Sequence, residues 1–145
     1  MASSKDFNKI VLAVDGSDIS KKAAKKAFSL AKKIGINATV IHVVNFPIYA
    51  VYTADTAYMG DINSSLKKYG NNVLNEIVNM GSVMGIKVKK KLVEGVPDDE
   101  IIKIAHKNDL IIMGCKGHSA LGRILIGSVS EKVIHHSEAS VMIVR

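Results

Sequence analysis

A chain of 145 residues, 48% apolar and 23% charged, suits one globular domain with a real core. Its apolar runs are far too short to cross a bilayer, and its opening Met1-Ala2-Ser3-Ser4-Lys5-Asp6 has no apolar core of a secretory leader. With one cysteine there is no internal disulfide, and with a net charge of +7 but no aromatics interleaved on the lysine face of residues 21–33 or among the lysines at 87–91 there is no stacking platform for bases there, so a reducing cytoplasm is expected and nucleic acid is not.

In chain order, residues 1–8 read as a loose tail. Lys9 to Val14 is a nearly continuous apolar run ending at Asp15-Gly16-Ser17, the mark of a central parallel strand. Ser17 or Asp18 can cap the helix that follows, and Gly35 can stop it. Lys21, Lys22, Lys25, Lys26, Lys32 and Lys33 fall within an arc of roughly 140° on that helix, a solvated face. Ile19, Ala23, Ala24, Ala27, Phe28, Leu30, Ala31 and Ile34 fill the opposite arc. Ala38 to Val44 is a second strand, rich in β-branched residues. His42 within it is expected to be a packed or capping histidine rather than a ligand. Phe46 to Gly60 has no period, carries three tyrosines and is expected to be a mobile lid.

A helix is expected from about Asp61 to Met84, with Ile62, Leu66, Tyr69, Val73, Ile77, Met80 and Met84 as its buried stripe. Ile86 to Glu94 reads as an edge strand, its lysines discouraging further pairing. Pro97 opens a short helix, and Asp98, Asp99 and Glu100 oppose its positive dipole end. Leu110 to Met113 is a fourth strand, a further helix runs to about His136, and Val141 to Val144 is the last strand. His135 and His136 fall at a helix C-terminus, where partial positive charge is favoured. The alternation βαβαβαβαβ implies one domain over 1–145: an α/β fold with a parallel sheet and helices on both faces.

The most informative stretch joins the fourth strand to the last helix: Gly114-Cys115-Lys116-Gly117-His118, then Arg123, then Gly127-Ser128-Val129-Ser130. Strand, glycine loop and helix start make a plausible phosphate cradle, because glycines admit an anion to backbone amides and a helix N-terminus adds unpaired N–H groups. Neither the P-loop spacing nor the Rossmann dinucleotide fingerprint is present. The spacing found is G-x2-G-x9-G-S. It resembles the nucleotide-binding signature of the universal stress protein family, in its ATP-binding branch. Val14-Asp15-Gly16-Ser17 near the start adds to the likeness, which runs from Ile10 to Arg145.

The resemblance implies an open, doubly wound, Rossmann-like sheet of five parallel strands in the order 3-2-1-4-5, like that of the adenine nucleotide alpha hydrolases. Ligands of such sheets bind at the carboxyl ends of the strands, where the order reverses. There Asp15 suits ribose hydroxyls and Val43 suits a base. Gly114, Gly117, Gly127, Ser128, Val129 and Ser130 suit phosphates, while Lys116, His118 and Arg123 offset their charge. Asp15 could instead cap its own loop, and Ser130 could be an ordinary helix residue. The implied ligand is ATP with Mg2+ or Mn2+. The implied role is a cytoplasmic, stress-responsive regulatory switch with little turnover, acting on a protein partner. A slow ATP hydrolase and a dimeric module with no nucleotide are the alternatives. A homodimer through the apolar edge strand Ser140–Arg145 is expected on the same resemblance and on the pairing tendency of such edges.

Overall fold

The computed structural model describes residues 6–45, 56–115 and 126–145. Its elements are β1 (Lys9–Ala13), α1 (Asp18–Ile34), β2 (Asn37–Val44), α2 (Thr56–Val83), β3 (Val88–Glu94), α3 (Pro97–Ile104), β4 (Leu110–Gly114), α4 (Ser128–His136) and β5 (Ser140–Val144). All five strands are parallel and lie in the expected order β3-β2-β1-β4-β5. Successive residues of a strand point to opposite faces. Ile10 and Leu12 of β1 therefore enter one core with Ala24, Ala27 and Phe28 of α1 and Leu74 and Ile77 of α2. Val11 between them enters the other, with Ile101 of α3, Ile111 of β4 and Val133 of α4. A strand apolar on both faces is what the unbroken run of β1 encodes.

Two helices end in the same way, and the endings set where the next strand begins. At the end of α1, Gly35 takes the left-handed conformation (φ 70°), and the Gly35 and Ile36 amides both donate to the Ala31 carbonyl. At the end of α2, Gly85 has φ 78° and Ile86 donates to the Gly81 carbonyl at 2.9 Å. Ile86 thus closes the helix instead of opening β3, which starts at Val88 rather than at the expected Ile86.

Three further expectations are corrected. The long helix begins at Thr56, not at about Asp61, so residues 56–60 belong to α2. The rest of the expected lid, residues 46–55, lies outside the described residues. Ile34, the last residue of α1, is 40% exposed rather than packed. Tyr69 is 51% exposed rather than part of a buried stripe. Its neighbour Gly70 is the buried residue, because a Cβ there would lie 2.6 Å from Leu92 Cδ1 and 2.7 Å from His42 Cδ2. At Gly81 a Cβ would stand 2.5 Å from Val88 Cγ2, so α2 approaches β2 and β3 closely at two bare positions.

Candidate functional site

β1 and β4 lie side by side, but the chain leaves them in opposite directions. After β1 it packs α1 on one face; α4, which follows β4, packs on the other. A crevice must open between such strands at their carboxyl ends. It is a cavity of about 380 Å³ lined by Val14 and Asp15 after β1, His42 and Val43 of β2, Gly114 of β4, and Ser128, Val129 and Ser130 of α4. Ile41, Pro97, Ile101 and Met113 give it an apolar wall.

The turn after β1 is held from three sides. Asp15 accepts the Ser17 amide on Oδ1 at 2.9 Å, so it does bind its own loop. A carboxylate can accept several hydrogen bonds at once, so this does not bar a ligand. The Tyr69 hydroxyl donates to the Asp15 carbonyl at 3.0 Å. His42 Nδ1 lies 2.9 Å from the Val14 carbonyl, and since a carbonyl only accepts, that nitrogen carries the proton. The Tyr69 and His42 rings meet edge to face with centroids 5.9 Å apart. Gly16 takes φ 87°, and a Cβ on it would collide with the Tyr69 hydroxyl. Ser17 then caps α1, its Oγ accepting the Ser20 amide at 3.2 Å.

The other wall is stitched across. Ser130 is 2% exposed and its hydroxyl donates to the Gly114 carbonyl at 3.2 Å, tying the first turn of α4 to the end of β4. Gly114 is bare because α1 passes over it: a Cβ would lie 3.0 Å from Ile19 Cγ1 and 3.1 Å from the Ile19 carbonyl oxygen. Gly127 stands at the N-cap of α4 with no side-chain cap, and Ser128 is exposed in the first turn. A helix start of this kind presents amides and a positive dipole end to an anion. Of the residues singled out from the sequence, Asp15, Val43, Gly114, Ser128, Val129 and Ser130 line one cavity, and Gly127 adjoins it in sequence. Lys116, Gly117, His118 and Arg123 lie outside the described residues.

Sequence reasoning missed Tyr69 altogether and saw only half the role of His42, which is packed as expected but also lines the cavity. The signal for His42 was present: a histidine inside an apolar strand needs a partner, and the nearest polar groups are the ends of neighbouring strands. Tyr69 carried no such signal, because its spacing along α2 matches the buried stripe.

The universal stress protein family model matches residues 6–145. Universal stress protein MJ0531 of Methanocaldococcus jannaschii is 37% identical over 141 residues, covering 96% of this chain and 82% of its own length. The solved structure of hypothetical protein MJ0577 superposes with a TM-score of 0.79 at 30% identity, over 95% of both chains. That of the universal stress protein from Archaeoglobus fulgidus in complex with dAMP superposes with a TM-score of 0.68 at 22% identity, over 96% of this chain and 98% of that one.

Proposed function

The chain belongs to the universal stress protein family, and on that premise we propose that its crevice holds an adenine nucleotide, ATP in the cell, as the signal of a regulatory switch with little turnover of its own. The observation that carries this reading is the joint position of Asp15, Val43, Gly114 and Ser128 around one cavity at the point where the strand order reverses. The relative in complex with dAMP supports the ligand class. In this reading Asp15 accepts from ribose hydroxyls, the end of β2 at Val43 faces the base, and the start of α4 meets the phosphates. The family resemblance assigns Lys116, Gly117, His118 and Arg123, which lie outside the described residues, to the phosphates as well.

In this reading Mg2+ or Mn2+ would enter with the nucleotide, on its phosphates. Low turnover is part of the same proposal, and the described lining of the cavity bears on it. Its titratable side chains are Asp15, which accepts from Ser17, and His42, which is buried against Val14. Phosphoryl transfer to water needs a residue that positions the attacking oxygen. Two copies would pair through the edge strand β5, as its apolar Val141, Met142 and Ile143 suggest.

Mass analysis of ligand retained through native purification, followed by calorimetry with ATP, tests the reading. Retained adenine nucleotide and saturable binding with one site per chain are expected. A protein that binds no adenine nucleotide at millimolar concentration overturns it, and phosphate release at many turnovers per second would make the protein an enzyme instead.

A further inference from the structure

The geometry points to Tyr69 as a positioning residue for the crevice: through its hydroxyl on the Asp15 carbonyl, α2 fixes the angle at which the Asp15 carboxylate is presented to a ribose. This inference rests on the proposed nucleotide site, and it extends that site to a helix to which none of the described lining residues belongs.

Three observations carry it. Tyr69 is half exposed, yet its hydroxyl reaches the main chain of the turn after β1 at 3.0 Å, across 54 positions of sequence. Gly16, the hinge of that turn, has no Cβ, and its left-handed conformation lets the Tyr69 hydroxyl come closer than any side chain there would allow. His42 holds the adjoining Val14 carbonyl at 2.9 Å and braces the Tyr69 ring edge to face. Two successive carbonyls of one turn are thus each held by a side chain from another element, one from β2 and one from α2. A free turn with a glycine at its centre samples many orientations, and each costs affinity for a ligand that needs one of them. Neither Tyr69 nor His42 is asked to touch the reacting groups. Tyr69 acts on the nucleotide only through Asp15.

The test compares wild type, Tyr69→Phe and Tyr69→Ala with two ligands, ATP and 2′,3′-dideoxy-ATP, and measures amide hydrogen exchange of the unliganded proteins. Phe keeps the ring against Gly16 and His42 and removes the hydroxyl alone. The inference expects Tyr69→Phe to weaken ATP about five- to tenfold, the size of one lost hydrogen bond. It should leave the dideoxy nucleotide, which offers Asp15 no hydroxyls, within about twofold of wild type. It also expects the Ser17 amide, which donates to Asp15, to exchange faster in Tyr69→Phe while the β1 amides do not change. Equal weakening of both ligands, or unchanged ATP affinity with unchanged Ser17 exchange, overturns it. Tyr69→Ala should weaken ATP at least as much as Phe; wild-type discrimination between the two ligands in that variant also overturns it. If wild type binds neither nucleotide, the proposed function fails, and the exchange of Ser17 alone then decides whether Tyr69 orders the turn.

Discussion

The two ends of the central strand pair β1–β4 each carry an aspartate, and the chain treats them in opposite ways. At the amino end Asp109 is 1% exposed. Its carboxylate takes Lys9 Nζ at 3.0 Å and the His106 amide at 2.8 Å, while the Asn8 amide donates to the Asn108 carbonyl beside it. At the carboxyl end Asp15 is exposed beside a cavity, and its carboxylate and carbonyl are both tied by the fold. A buried charge must be matched inside the protein. An exposed one can be held in place and still face a ligand. The same residue type thus closes one end of the sheet and furnishes the other.

The sharpest way to break that contrast is Asp109→Ala. It strips the His106 amide and Lys9 of their partner in a buried place, and should lower stability by about 2–4 kcal/mol. Urea unfolding reads the loss, and nucleotide affinity in the folded fraction should not change. Asp15→Ala should do the reverse: about 1.5–3 kcal/mol less binding energy for ATP by calorimetry, with an unfolding midpoint close to wild type. If either aspartate moved both readouts equally, the two ends would not be separate in function.

Gly70→Ala probes the ground between them. Its new methyl meets Leu92 and a His42 already held by Val14, so neither can give freely. Overpacking should outweigh the gain in helix propensity and leave the protein about 1–2 kcal/mol less stable. Gly60→Ala meets nothing within 4 Å and should stabilise the same helix by about 0.5–1 kcal/mol. A stabilised Gly70→Ala protein would show that His42 is not pinned.

The smallest effect belongs to a second lysine–carboxylate pair, Lys67–Glu94 at 2.9 Å, which lies in solvent at the carboxyl end of β3. A hydrogen bond from Lys67, and then its charge, hold the Glu94 carboxyl below its ordinary range. A carboxylate with a depressed folded midpoint adds stability above its unfolded midpoint and loses it as pH falls through the folded one. The contribution is therefore present at neutral pH, lost in acid, and screened by salt. In an NMR titration Lys67→Met should bring the Glu94 midpoint back up; an unmoved midpoint would mean that the pair does not persist in solution.

The strands were legible because β1 and β4 are apolar on both faces, which only a central parallel strand tolerates; their order was implied by the family resemblance. Helix ends marked by Gly35 and Pro97 fell where those residues dictate. The start of α2 was not legible: its first turn holds no acid, and Gly60 reads as a breaker, yet the helix runs through it. In the cavity lining, Asp15, Gly114 and Ser128 could be named from their places at the ends of β1 and β4 and the start of α4, together with the family resemblance. The double duty of Ser130, bound to the Gly114 carbonyl, and the reach of Tyr69 to Asp15 could not, because both depend on which main-chain groups two distant elements bring together.

The register of β1 against β4 bears on how the protein is made. Ile10 lies beside Leu110, so about a hundred residues must leave the ribosome before the central pair of the sheet can close. The crevice needs α4 as well, so it cannot form before that helix has been made. A partly synthesised chain holding β1, α1 and β2 would carry Asp15 and His42 without their opposite wall. Under the proposed function, nucleotide would stabilise only chains in which both walls of the crevice are present.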